Sequence, residues 1–159
     1  MSLPTAELCD RHRDLVQVAR PGLIHFGGRR AFHGPAVTLD VYEDNSLVRE
    51  TLAQPGAGRV LVVDGRGSLR CALLGDRLGQ LAVDKGWTGV VVHGCVRDTA
   101  ELAKLPLGVV ALAAHPLASV KAGAGSRDCV LHFARLRVAP GNFVYADDDG
   151  LLVAPHELT

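Results

Sequence analysis

Three apolar runs of strand length constrain this chain more than anything else in it: residues 59–64, RVLVVD, residues 89–93, GVVVH, and residues 109–114, VVALAA. A strand with one wet face alternates apolar and polar side chains. The first is continuously apolar, as expected of a strand covered on both faces; the second reads as another buried strand and the third as strand-like. Residues 36–42, AVTLDVY, alternate and predict a further strand. Residues 46–54, SLVRETLAQ, predict a short helix, capped by Asp44 or Asn45 and ended by Pro55-Gly56.

The remaining elements follow from local signals. Thr5 precedes a first capped helix over residues 6–10, and residues 69–74 read as a short strand. Gly75-Asp76 opens a helix with apolar positions Leu78, Leu81, Ala82 and Val83, for which Gly86 is a natural stop. Asp98-Thr99-Ala100-Glu101 has the spacing of a capping box and starts a helix through about Lys104. Phe26-Gly27-Gly28-Arg29-Arg30 is a turn or an anion-binding loop, the turn being the simpler reading. After a polar, glycine-bearing loop at residues 119–128 the pattern changes to short strands, CVLHF, LRV, NFVYAD and LLVAP, with Pro140-Gly141 and Asp149-Gly150 as hairpin turns. The expected fold is α/β over the front two-thirds with a β-rich C-terminal third, in a single domain spanning residues 1–159.

Composition excludes several functions. Lys+Arg and Asp+Glu are both 17, so no global charge draws the chain to nucleic acid or anionic lipid, and no direct nucleic-acid binding is expected. A neutral balance also favours self-association. The N-terminal MSLPTAELCDRHRDL is polar and acidic where a signal peptide needs an apolar core, and no apolar run approaches the roughly 20 residues of a membrane helix. A cytoplasmic protein is expected. Cys9, Cys71, Cys95 and Cys129 are widely spaced with no CxxC pair, which argues against a zinc ribbon or a disulfide framework.

Gly65-Arg66-Gly67 lacks the third glycine and the later acidic residue of a dinucleotide fingerprint, and GxxxxGK[ST] is absent. The 7 histidines show no ligand spacing; His93 ends a strand and is as readily a packed or capping residue as a functional one. Asp147-Asp148-Asp149-Gly150 is most simply a hairpin turn. Asp76 and Asp98 remain. Each stands where a helix N-cap is expected, so capping is one reading. Each also follows a glycine-bearing turn after a strand, where α/β proteins gather ligands, and Arg97 directly precedes Asp98. Two carboxylates suit a hard divalent cation that keeps several waters, with Asp98 binding directly and Asp76 through water. A 2-oxo acid would chelate the ion, the first amides of the Asp76 helix would meet its carboxylate, and the metal with Arg97 would stabilise an enolate.

These same stretches carry a family likeness. GRVLVVDGRGSLRCALLGDRLGQLAVDKGWTGVVVHGCVRD, FGGRRAFHGP, VYEDNSLV and YADDDGLLVAP resemble the RraA family, which includes the regulator of ribonuclease E activity and the class II 4-hydroxy-4-methyl-2-oxoglutarate aldolases. The resemblance covers nearly the whole chain. It implies a swivelling β/β/α-type sandwich, assembled as a homotrimer or hexamer with active sites between subunits. It implies a divalent cation, Mg²⁺ or Mn²⁺, on Asp98; Arg97 on the substrate; Asp76 supporting the metal's water shell; and pyruvate carboxylate bound by the Gly75-Asp76 turn and the amides of Arg77 and Leu78. It implies aldolase and oxaloacetate decarboxylase activity on small 2-oxo acids, or alternatively binding and inhibition of a ribonuclease E-type endoribonuclease. Some longer aldolases of the family take a further acidic residue from a neighbouring subunit, for which Glu157 is the candidate here. Arg66 stands where the family commonly has glycine. Family members have also been labelled as methyltransferases, against which the missing cofactor fingerprint argues.

Overall fold

The structure is a computed structural model that describes residues 2–159. In chain order it forms α1 (Thr5–Arg11), β1 (Gln17–Val18), β2 (Ile24–His25), β3 (Phe32–Asp40), α2 (Ser46–Leu52), β4 (Val60–Asp64), β5 (Ala72–Leu74) and α3 (Asp76–Asp84). There follow β6 (Gly89–Val96), α4 (Thr99–Leu102), β7 (Gly108–Ala114), β8 (Ser126–Arg127), β9 (Leu131–Phe133), β10 (Leu136–Val138), β11 (Phe143–Asp147) and β12 (Gly150–Ala154). The α/β class read from the sequence is the one observed.

The apolar runs become neighbours. β3, β4, β6 and β7 pair in parallel in that order, and β5 adds to β6 near its carboxyl end. Antiparallel strands extend both sides, β11, β12 and β1 beyond β3, and β2 beyond β7. The sheet curls: His25 Nε2 in β2 lies 2.7 Å from the carbonyl oxygen of Asp147 in β11. Alternate residues of each central strand feed two different cores. Leu61, Val63, Val90, Val92, Val109 and Ala111 pack under the helices with Val48, Leu52, Leu78 and Leu102. Val60, Val62, Val91 and Val110 face the β9–β10 hairpin, packing with Leu131, Phe133, Leu136 and Val138. That double coverage is why the runs are apolar at every position. No described helix is long and apolar enough to cross a membrane.

Several local expectations change. β3 begins at Phe32, earlier than residue 36, because its first half pairs with β11. The strand expected over residues 69–74 shrinks to β5, three residues at 72–74. Pro140-Gly141 is no hairpin turn: β10 pairs with β9, and β11 pairs with β3 and β12. The turn joining β9 to β10 is Ala134-Arg135, with φ of 48° and 64°. Two left-handed residues make the primed turn that suits strand twist, yet neither is the glycine or asparagine that would have announced it. Asp148-Asp149 does close the β11–β12 hairpin, with Asp147 opposite Gly150. At Gly27-Gly28 the turn reading holds, since Gly28 N–H donates to the Leu105 carbonyl at 3.0 Å and a Cβ on Gly27 would lie 2.1 Å from the Leu107 carbonyl oxygen. Two of the expected caps do not form: neither Thr5 nor Asp98 bonds its own helix through its side chain, and Thr5 Oγ1 donates instead to Asp147 at 2.7 Å. Asp44 does serve the start of α2, accepting from Ser46 N–H at 2.9 Å.

Phe32 locks the curl. Its ring lies flat against β6 and β7 where a Cβ on Gly89 would approach it to 2.5 Å and one on Gly108 to 2.2 Å. Only glycine leaves that room. Gly108→Ala is therefore expected to lower unfolding free energy by about 1–3 kcal/mol through overpacking, measured by urea denaturation; an unchanged midpoint would show that the ring can give way.

Candidate active site

β5 and β6 run in parallel with Leu74 opposite Val96, and the Arg97 N–H donates to the Leu74 carbonyl at 2.9 Å. Two residues beyond each paired position comes an aspartate. The register thus sets Asp76 and Asp98 beside one another at the carboxyl ends of adjacent strands, where open α/β sheets place their ligands. The Asp76 N–H donates to Asp98 Oδ2 at 3.1 Å.

Gly75 makes this contact possible. Its φ of −134° is ordinary extended backbone, so conformation does not demand glycine. Space does: a Cβ there would stand 2.5 Å from Asp98 Oδ2 and 3.3 Å from Arg97 Cγ. Asp98 itself takes a left-handed φ of 56°, a conformation aspartate tolerates better than most residues and one that concentrates at functional sites. Asp76 is the first residue of α3, with Gly75 at the cap, so neither aspartate acts as the side-chain cap expected of it. Asp98 is spent across the sheet on the neighbouring helix start instead.

The Asp76 N–H, foremost, then a hydrogen bond with the Asp76 side chain and the charges of Arg97 and Arg77, hold the Asp98 carboxyl below its ordinary range against the opposing effect of burial. The site therefore carries an ionised carboxylate with a second carboxyl in reach. Such a juxtaposition calls for a proton or a cation between the two. Hard oxygen donors on a cleft that opens to solvent fit a divalent ion that keeps water ligands. Among the described residues no group of three or more His, Cys, Asp and Glu side chains is arranged to hold a metal, so a closed protein cage is not what is built here.

All six residues singled out from the sequence, Gly75, Asp76, Arg77, Leu78, Arg97 and Asp98, line one cleft of about 590 Å³. Asn45, Arg49, Ala118 and Lys121 line it too, and no spacing in the sequence pointed to them. They arrive through Asp44, which is buried in the angle between α2 and the returning segment at residues 119–124. Asp44 Oδ1 accepts from Ser46 N–H and Oγ–H at 2.9 and 2.7 Å; Oδ2 accepts from Ala122 and Ala124 N–H at 2.8 and 3.2 Å. Burial acts to raise its pKa, but these four donors outweigh it and hold Asp44 lowered to about 2.

His93 is not part of the site. It stacks on Phe133 at 4.8 Å, and its Nδ1 lies 3.1 Å from Asp64 Oδ1. Glu157 lies elsewhere, near Arg29, His33 and Phe143. Arg66 has φ 56° and pairs with Asp40 at 3.1 Å; glycine would take that backbone without strain. The four cysteines are free, Cys71 and Cys95 buried and Cys9 and Cys129 half-buried.

The family model described as RraA-like, Aldolase/RraA, matches residues 5–153. The chain belongs to the RraA-like family. A relative from Alkalilimnicola ehrlichii, provisionally named a 4-hydroxy-4-methyl-2-oxoglutarate aldolase, is 56% identical over 158 residues, covering 99% of this chain and 98% of its own. One from Laribacter hongkongensis with the same provisional name is 54% identical, covering 99% of each. Among solved RraA-like structures, the RNA-processing inhibitor RraA from Thermus thermophilus superposes with a TM-score of 0.96 at 48% identity, over 100% of this chain and 96% of that one. A Geobacillus kaustophilus protein described as an S-adenosylmethionine:2-dimethylmenaquinone methyltransferase also gives 0.96, at 51% identity over 98% and 97%. The RraA-like fold is therefore shared by proteins bearing three different functional names, and the choice among them falls to the cleft.

The Asp44 clasp has a measurable signature. Its folded pKa lies below the ordinary value near 3.9, so its stabilisation is complete above pH ~4 and is lost as pH falls from ~4 toward ~2. Asp44→Asn should be less stable at pH 7 by about 1–3 kcal/mol and should lack that part of the acid loss. Parallel acid limbs in urea titrations of the two proteins would contradict this.

Proposed function

We propose that this chain is a divalent-metal-dependent lyase that cleaves 2-oxo acids through a pyruvate enolate, a class II 4-hydroxy-4-methyl-2-oxoglutarate aldolase with oxaloacetate decarboxylase activity. The observation that carries the reading is the ionised Asp98 set against the Asp76 amide and carboxyl, with Arg97 adjoining, in a cleft that also presents Arg49, Arg77 and Lys121. The names of the relatives support it.

In this mechanism Asp98 would hold the cation directly, and Asp76 would steady it through a water. A bound Mg²⁺ or Mn²⁺ supplies Lewis-acid stabilisation of the developing enolate charge. The amides of Arg77 and Leu78, in the first turn of α3 where the helix provides no carbonyl partner, receive the substrate's C1 carboxylate. Arg97 sets its guanidinium toward the keto oxygen and shares the charge that builds there. Aldol cleavage breaks the C3–C4 bond, and its electron pair moves to the keto oxygen as enolate. The C4 hydroxyl loses its proton and becomes the carbonyl of one pyruvate; protonation at C3 releases the other. With oxaloacetate the same bond breaks, carbon dioxide leaves, and the same enolate results. Nothing in these steps uses a histidine, in keeping with the place of His93 outside the cleft.

The reading includes a homotrimer or hexamer with the cleft at a subunit boundary. Leu117 and Val120, exposed at 61% and 64%, flank the cleft residues Ala118 and Lys121 and support such a boundary. The alternative reading, a protein that binds and inhibits a ribonuclease E-type endoribonuclease, is favoured by the likeness to the Thermus inhibitor. A pull-down with the host endoribonuclease tests it, and absence of association removes it.

Purified protein with Mg²⁺ or Mn²⁺ should release pyruvate from oxaloacetate and from 4-hydroxy-4-methyl-2-oxoglutarate. Asp98→Ala should lose on the order of 10²–10³-fold in kcat/KM, and Asp76→Asn roughly 10–100-fold. Release no faster than with the free metal ion, or an Asp98→Ala protein as active as wild type, would sink the proposal. Gly75→Ala, which displaces the Asp98 carboxylate without removing any reacting group, should also lower kcat; full activity would show that the close approach has no catalytic value.

A further inference from the structure

None of the carboxylate ion pairs of this protein engages a cation of the cleft. Arg11, Arg30, Arg66, Arg70, Arg127 and Lys104 each pair with a carboxylate, and all of them lie outside the cleft. Within the cleft, Arg49, Arg77 and Lys121 have no side-chain hydrogen-bond or ion-pair partner among the described residues. Arg77 stands in the first turn of α3, whereas Arg49 and Lys121 belong to the wall assembled by Asp44. Arg49 stands on α2, whose Leu47, Val48, Thr51 and Leu52 are buried, leaving the arginine on the open side. Lys121 sits between two anchored neighbours: Val120 N–H donates to the Glu43 carbonyl at 3.2 Å, and Ala122 N–H donates to Asp44. Gly123 N–H donates to Ser46 Oγ at 3.0 Å and ties the same segment to the start of α2. The backbone bearing Lys121 is therefore held against the helix bearing Arg49.

Charge makes the arrangement informative. The cleft has four cations, Arg49, Arg77, Arg97 and Lys121, against the two carboxyls of Asp76 and Asp98. A 2-oxo acid bound as proposed above uses Arg97 and the first turn of α3 for its keto and C1 carboxylate groups. The Arg77 guanidinium, on the α3 side, and Arg49 and Lys121, on the wall assembled by Asp44, are left over, and a bound divalent cation would increase the positive excess. Two unpaired cations on one wall of the cleft, on segments joined through a buried, fourfold-bonded aspartate, form a receptor for a second anionic group.

We propose that Arg49 and Lys121 form a distal-carboxylate subsite that selects 2-oxo diacids over 2-oxo monoacids of the same length, with Asp44 as the residue that positions it. The inference rests on the lyase reading of the cleft for the placement of the C1 carboxylate. In an aldol substrate the distal carboxylate is carried on C4, so the subsite holds the half of the molecule that departs.

The test is calorimetric and needs no turnover. Wild-type protein with Mg²⁺ is titrated with 2-oxoglutarate and with 2-oxopentanoate, which has a methyl group in place of the distal carboxylate. The diacid should bind at least about tenfold more tightly, as expected of a charge-assisted contact on a partly exposed wall. Arg49→Ala and Lys121→Ala should each cut that preference severalfold, the double variant should abolish it, and Arg49→Lys should keep most of it. The affinity for 2-oxopentanoate should stay the same throughout. A diacid preference that survives the double variant, or equal binding of the two ligands by wild type, overturns the subsite while leaving the lyase reading intact. Failure of wild type to bind either 2-oxo acid overturns both.

Discussion

The 3.1 Å contact between the Asp76 amide and the Asp98 carboxylate depends on a parallel pairing of only three residues of β5 with the end of β6. The rest of the site is arranged around it. The pairing brings two strand ends level; the missing side chain of Gly75 lets the carboxylate cross the gap; the left-handed backbone of Asp98 turns that carboxylate toward α3. A one-residue slip in the pairing would move every side chain of β5 to the other face. Burial resists such a slip, because Ala72, Leu73 and Leu74 are all buried and Leu73 and Leu74 pack into the helix-side core. Sheet register and carboxylate geometry are thus one constraint seen at two scales.

The cleft has two walls with different physical origins. On one, the ends of β5 and β6 and the first turn of α3 are parts of the buried sheet and inherit its rigidity. On the other, α2 and the returning segment near Lys121 come from distant parts of the chain, and a single ionised side chain gathers them. Asp44 is buried, and its carboxylate accepts from four donors, the amides of Ser46, Ala122 and Ala124 and the Ser46 hydroxyl, so it is an internal charge satisfied by three backbone amides and one hydroxyl. Removing a buried charge's partners is costly, which makes this wall as well defined as the sheet wall. In the reading proposed above, a small acid between the two is held at one end by backbone amides and at the other by side-chain cations.

Much of the fold was legible in residues alone. Continuous apolarity marked β4 as covered on both faces and β6 as buried, and each alternate residue does have a core of its own to fill. Gly86 ends α3 with φ of 84°, as glycine at that place should. Other features were hidden because their signals are not local. Ala134-Arg135 makes a turn that its residue types do not advertise, and Pro140-Gly141, which does advertise one, joins strands that pair with other partners. Thr5 and Asp98 stand at helix starts as capping residues do, yet their side chains are drawn to Asp147 and to the Asp76 amide by contacts made only after the chain has folded.

The chemistry of the site followed the same division. The sequence by itself determined the residue types and their immediate settings: two aspartates at the starts of helices, an arginine before one of them, a glycine before the other. These depend on neighbours within a turn or two, which propensity and spacing report. Only the tertiary structure decided that residues 22 positions apart share a hydrogen bond, that Gly75 is there for space and not for conformation, and that Arg49 and Lys121 complete the cleft. Which strand lies beside which, and in what register, is settled by the burial of whole faces against one another, and no short stretch of residues contains that information.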